Sequence, residues 1–376
     1  MRGKTPWSLL RVVAGLIIAA AALHLYDAEP FDPNQVVLGK ELTQKEEQWN
    51  GRPFTARSVP DTKAMVADYE KAPIKGARNC KPFTILWLGN SQLNTVNQFR
   101  EGDHISAWWL RQEVSCPDTT LPFGVALPLA NFQEMYLVEE YVTARLPVNV
   151  VFLELCFDGL RQDGLRHDFA GIAEPSDERE LGGEPVGRAI LETAQALWRN
   201  EVAAEQNPGL KGFLQQGVEN RLDATLAKIS PLWADRDNMQ LKFLVDVYVA
   251  RNHLLGINSS TVRKLIPSRY DRNMQALTAL LRLARARGIP VIGYISPLRQ
   301  DLAPPYDPGE YARWKGSLAK LFPENGAKLI SLETLVPPAD WGTSGRIGDV
   351  DFIHFRNSGH QLVAHAMLHY AQRDER

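Results

Sequence analysis

Five short apolar runs constrain the fold of this chain: FTILWLG (83–89), FGVALPLA (123–130), VNVVFLEL (148–155), IPVIGYIS (289–296) and AKLISL (327–332). Each is too short for a buried helix and almost continuously apolar, which is how a strand covered on both faces reads. Between them lie segments of helical period. DHISAWWLRQEV (103–114) offers Asp103 as N-cap, and FQEMYLVEEYVTARL (132–146) aligns Met135, Val138 and Val142 on one face. RNMQALTALLRLARARG ends in Gly288 as a left-handed C-terminal cap. In the segment from 307 to 322, Asp307 is the predicted N-cap, Pro308 the first helical residue and Glu310 the closing member of a capping box. Strand-then-helix repetition implies an α/β fold, a doubly wound parallel sheet flanked by helices.

The chain has 376 residues, enough for one large domain with additions. Its net charge is -2, with no dense basic run carrying interleaved aromatics, so nucleic acid is not an expected partner. Arg2, Lys4 and Arg11 precede a run from Val12 to Tyr26 free of charged residues. A helix over 7–26 would span about 30 Å, the thickness of a bilayer core. Asp27, Glu29 and Asp32 follow before Lys40, and this asymmetry keeps the N-terminus in the cytoplasm and exports the rest. The expectation is a single-pass bacterial inner-membrane protein with a periplasmic domain. A cleaved signal peptide is the alternative, since Ala20 to Ala22 are small enough for cleavage.

The predicted divisions are an anchor over 1–26, a stem over 27–78 and an α/β domain over 79–376 that carries a helical insert at about 160–271. Within the insert, QLKFLVDVYVARNHLLGI is apolar around most of its circumference, which implies burial; a lid or a docking surface is the alternative. Cys156 sits in an apolar run as a core thiol. Cys80 and Cys116 flank the first strand and the helix after it, and are either a disulfide of an oxidising compartment or two free thiols.

The first run ends in Gly89-Asn90-Ser91. Ser91 is either the cap of the next helix or a nucleophile, because ligands of open α/β sheets bind beyond the carboxyl ends of the strands. Near the C-terminus, DVDFIHFRNSGHQ places Asp351 three residues before His354, in a predicted loop between the fifth strand and the last helix. Serine needs an imidazole to take its proton, and the imidazole needs a carboxylate to fix its tautomer; His354 and Asp351 suit these tasks. Asp349 rivals Asp351, and His360, which lacks an acid three residues earlier, rivals His354.

WLGNSQ followed far downstream by DFIHFRNSGHQLVA resembles the SGNH hydrolases, whose first block carries Gly-Asp-Ser and whose last carries Asp-x-x-His before the final helix. The resemblance covers roughly residues 82–371 without the insert, with Asn90 in place of the usual aspartate. It implies a catalytic triad of Ser91, His354 and Asp351. The family also takes oxyanion donors from a glycine after the second strand and an asparagine after the third. Here the second strand runs into Asn131, which serves the oxyanion or caps the next helix. Asp158 stands near the place of the missing asparagine, where a carboxylate would oppose an oxyanion. Arg299, at the same sheet edge as Ser296, either holds an anionic substrate group or pairs with a structural carboxylate.

An anchor, an exported domain of this kind and a helical insert resemble envelope proteins that work beside membrane-bound O-acyltransferases. The resemblance implies a serine esterase or O-acyltransferase modifying an envelope glycan, with that glycan, an acyl donor and such a transferase as partners, and no cofactor. The alternatives are a catalytically weak assembly factor and a periplasmic lipase or thioesterase. No metal is expected: His365 and His369 are four apart on the last helix, but the residue after the first is Ala366 rather than a glutamate, and both point away from its apolar face.

Overall fold

The computed structural model describes residues 42–76, 80–172, 184–206, 221–228, 230–344 and 349–371. The anchor expected over 1–26 lies outside them. Among the described residues no helix is long and apolar enough to cross a membrane. The chain divides into a larger unit, Glu41–Ala204 with Ser259–Arg376, and a second that includes Glu205–Asn258.

In the larger unit, β1 (Leu42–Gln44), β2 (Thr55–Ala56) and α1 (Val59–Lys71) precede the first long strand, β3 (Phe83–Gly89). A one-turn helix, α2 (Ser91–Asn94), runs directly into β4 (Thr95–Asn97), followed by α3 (Ser106–Glu113) and β5 (Thr120–Ala126). Then come α4 (Phe132–Thr143), β6 (Val150–Leu155) and α5 (Pro185–Gln206). The second unit contains α6 (Arg236–Leu254). The larger unit resumes with α7 (Pro267–Ala286), β7 (Val291–Ile295), α8 (Pro308–Glu324) and β8 (Lys328–Ser331). It closes with β9 (Trp341–Ser344), β10 (Asp349–Phe355) and α9 (Asn357–Ala371).

Six strands form one parallel sheet in the order β8-β7-β6-β3-β5-β2. All residues of β3, β5 and β6 are buried, in keeping with their almost continuously apolar sequences. Full burial of a side chain such as Leu86 or Phe152 stabilises by about 1.5–3 kcal/mol. Phe322 of α8 lies against Gly293 in β7, and a Cβ there would collide with the ring. The chain leaves β3 for β5 on one side and then returns to β6 on the other. This reversal of direction opens a crevice at the carboxyl ends of β3 and β6.

Several expectations are revised. Residues 42–76 are not a stem: β2 pairs with β5, and α1 buries Met65, Val66 and Tyr69. The segment that separates from the sheet unit is narrower than 160–271, because Phe169, Ile172, Ile190, Leu191 and Ala194 all join its core. Helix α6 exposes Phe243, Leu244, Val247 and Tyr248, where the sequence predicts burial. The N-cap of α3 is Ile105, while Asp103 accepts from the Arg100 N–H instead. Asp307 does cap α8, but the Glu310 carboxylate accepts from Leu265 N–H and leaves the capping box open. Gly288 has φ +69°, as a left-handed cap demands. Cys80 and Cys116 form a disulfide with Cα atoms 5.9 Å apart, fastening the approach to β3 to the segment leading into β5.

Candidate active site

The turn after β3 is built by Asn90. Its side-chain oxygen accepts from Gln92 N–H at 2.9 Å and its carbonyl from Leu93 N–H at 3.1 Å, which winds α2 with Ser91 as first residue. Ser91 is therefore not the helix cap. Its Oγ lies 2.9 Å from His354 Nε2.

His354 and Asp351 belong to a bulged strand and not to a loop. Trp341 of β9 pairs with Phe355, and Thr343 pairs with Val350, so one residue of β9 faces the four residues 351–354 of β10. The surplus bends the strand locally, as bulges do beside functional sites. Regular pleating would point residues three apart to opposite faces. Here one Asp351 oxygen accepts from its own strand at Ile353 N–H (2.8 Å) and His354 N–H (2.9 Å), and the other lies 3.0 Å from His354 Nδ1. Asn97, from β4, donates a further hydrogen bond to that second oxygen at 2.9 Å.

Burial alone would raise the Asp351 carboxyl. The charge of His354 and the hydrogen bonds from its ring, its N–H and Ile353 N–H outweigh that and hold it below the ordinary carboxylate range. Asp351 is thus an ionised orienter for an imidazole whose far nitrogen faces a serine, the geometry of an activated nucleophile.

The rivals have other partners. His360 is buried between Ser106 Oγ and the Thr95 carbonyl, each 3.0 Å away, and burial pushes it down to about 3, so it is a neutral core residue. Exposed His365 meets Glu113, and the His369 ring lies against Tyr370. Asp349 opens β10.

The proposed oxyanion and substrate residues are also committed elsewhere. Asn131 caps α4, accepting from Gln133 and Glu134 N–H in a full capping box while its amide donates to the Gly164 carbonyl. Asp158 pairs with Arg263 at 3.1 Å and accepts from Tyr306 Oη at 2.9 Å. Arg299 holds Asp301 through two nitrogens, and through the third donates to the carbonyls of Gly342 and, more weakly, Asp351, bracing the bulge from outside.

Three partners escape the sequence reading. Asn97 and Gln92 carry no motif of their own. Glu154 does have a signal, a lone charge in the buried run of β6. Its carboxylate accepts from Asn90 N–H at 2.7 Å and from Ser296 Oγ at 3.2 Å.

Beside Ser91 and His354, at the carboxyl ends of β6 and β7, is a small apolar pocket with room for about one water molecule. Gln92 and Ile353, neighbours of Ser91 and His354, line it with Cys156, Phe157, Leu298 and Tyr311. Burial and the carboxylates of Asp158 and Glu154 push the Cys156 thiol up to about 12, so it stays protonated and unreactive at neutral pH. Leu298 and Tyr311 also border an open groove carrying Arg299, Gln300, Lys315, Ser331 and Glu333. Compared with profiles of known families and with curated proteins, the chain matches none.

Proposed function

We propose that the protein is a serine-dependent acyl-transfer enzyme of the SGNH type, an esterase or O-acyltransferase that acts on an envelope glycan. The observation that carries the reading is the relay from Ser91 Oγ through both His354 nitrogens to Asp351, at 2.9 and 3.0 Å. Ser91 attacks the acyl carbonyl as His354 takes its proton. The ester oxygen leaves with that proton, and the acyl group stays on Ser91 until a hydroxyl, of sugar or water, attacks with His354 again as base. Asn90 engages the N–H groups of Gln92 and Leu93, while the Ser91 N–H, first in the helix, has no intrahelical acceptor and is the donor offered to the oxyanion. The polar groove continuous with the apolar pocket suits a glycan hydroxyl acceptor. The disulfide supports an oxidising, exported location. Residence on the inner membrane through an N-terminal anchor, beside an O-acyltransferase, belongs to the same proposal.

A second reading, a catalytically weak assembly factor for an acylation complex, is favoured by the engagement of Asn131 and Asp158 in structural contacts. One absent oxyanion donor costs about 100-fold to 1,000-fold in rate. A fluorophosphonate probe separates the two. Labelling at Ser91 that disappears in Ser91→Ala and weakens in His354→Ala supports the enzyme. Wild-type protein that takes no label, in cells whose glycan remains acylated with Ser91→Ala alone, supports the assembly factor.

A further inference from the structure

Glu154 is an expensive residue to place where it is. It is 1% exposed, and among the described residues no Lys or Arg pairs with it. A buried carboxylate without a cation is strongly disfavoured unless hydrogen bonds compensate. Two do: Asn90 N–H at 2.7 Å and Ser296 Oγ–H at 3.2 Å, one from the nucleophile turn and one from the end of β7. The turn is shaped around this group, since a Cβ on Gly89 would collide with the Glu154 carboxylate oxygen and crowd Leu93. The glycine of Gly-Asn-Ser thus makes room for an acid as well as for a turn.

We propose that Glu154 is a positioning residue for Ser91, its buried carboxylate anchoring the Asn90–Ser91 turn and serving best when ionised. The inference rests on the acyl-transfer reading. The anion is the stronger acceptor for Asn90 N–H, and its charge favours the imidazolium that forms at His354 when Ser91 is deprotonated. Burial pushes Glu154 up to about 7, while Asn90 N–H, the Ser296 hydroxyl and the charge of His354 pull the other way. The titratable groups around it are Tyr294, its register partner on β7, Cys156 at the end of its own strand and His354 on β10. Burial pushes Tyr294 well above its ordinary value and Cys156 up to about 12, so neither ionises near neutrality. Neither therefore supplies an acid limb near pH 7, and a limb that disappears, rather than shifts, in Glu154→Gln is that of Glu154.

The test is the rate of fluorophosphonate labelling of Ser91 in the full-length protein, followed from about pH 5 to about pH 9. Glutamine keeps an acceptor for Asn90 N–H but cannot ionise. Glu154→Gln is expected to lower the plateau rate about 10-fold to 100-fold, the scale of a misplaced reacting group, and to remove one acid limb of the profile. Ser296→Ala, which deletes a hydrogen bond to the anion, is expected to move that limb to higher pH. Glu154→Gln protein with the wild-type plateau and profile would overturn the proposal, because a neutral acceptor would then do everything the carboxylate does. Wild-type protein that takes no label at any pH overturns the acyl-transfer reading itself, and the role of Glu154 with it.

Discussion

Gln92, the residue after Ser91, donates its side-chain amide to the carbonyl of Ile353, the residue before His354, at 2.6 Å. Ser91 and His354 lie 263 residues apart in sequence, on separate elements. This hydrogen bond and the one from Asn97 to Asp351 tie the β3 turn and β4 to the bulge of β10.

Replacing Gln92 with Ala should leave the sheet intact, because no core hydrophobe is lost, and lower the Ser91 labelling rate about tenfold or more by loosening the Ser91–His354 distance. Unchanged labelling in a folded Gln92→Ala protein would mean that the Asn97 contact alone sets the distance.

Gly89→Ala should be far more damaging than its size suggests. The added methyl meets the Glu154 carboxylate and Leu93, both in a closed core. Labelling should be lost, and the unfolding midpoint should fall. Combining it with Glu154→Ala, which clears the space, should recover stability beyond the sum of the single changes. Strict additivity in that cycle would show that the two residues do not meet.

Much of this arrangement could be read before folding. The apolar runs of β3, β5 and β6 betray a parallel sheet because strands buried on both faces need no polar alternation. The three-residue spacing of Asp351 and His354 was visible as well. The bulge that makes the spacing work was not, since it arises from unequal pairing with β9, a long-range property. Asn131 carried two readings, and its local sequence supports the cap: Glu134 stands at the capping-box position. Strand β2 has only two residues, too few for any periodicity, so residues 42–76 read as a stem.

The disulfide makes a stability claim. Cys80 and Cys116 close a loop of sequence separation 36, for which loop-closure entropy predicts a contribution of about 3–4 kcal/mol. Serine at both positions should lower the unfolding free energy by that order in denaturant titrations and leave the triad geometry alone. A loss near zero would indicate that the unfolded chain is already restricted in this region.

Glu154 should also leave a mark on stability that needs no substrate. Its folded value lies near 7 against an ordinary 4.5, so the native state holds the proton more tightly. Its contribution is fully present below about pH 4.5 and is lost as pH rises through about 7. His360 runs the opposite way: it is depressed from 6.5 to about 3, so its contribution is present above 6.5 and is lost as pH falls. The two overlap between pH 4.5 and 6.5, and a wild-type profile alone would mix them. The difference between wild type and Glu154→Gln cancels His360. That difference should move in favour of the glutamine variant between about pH 4.5 and pH 8, by on the order of 3 kcal/mol. A flat difference across this range would mean that residue 154 does not titrate.

Under the proposed acyl-transfer function, the pocket beside Ser91 and His354 leads to different expectations for a glycan acylase and for a lipase. It has room for about one water molecule between Phe157, Leu298 and Ile353, the size of the methyl of an acetyl group. Longer chains would have to displace packed side chains, and overpacking costs about 1–3 kcal/mol, roughly 10-fold to 100-fold in rate. Across 4-nitrophenyl esters, kcat/KM should therefore be highest for acetate and fall steeply through butyrate to octanoate. Adding a soluble glycan should speed turnover of the acyl-serine if a sugar hydroxyl is the acceptor, and leave it unchanged if water is. A preference for octanoate would sink the short-acyl reading and favour the lipase or thioesterase alternative, since the acyl chain would then have to lie along a surface other than this pocket.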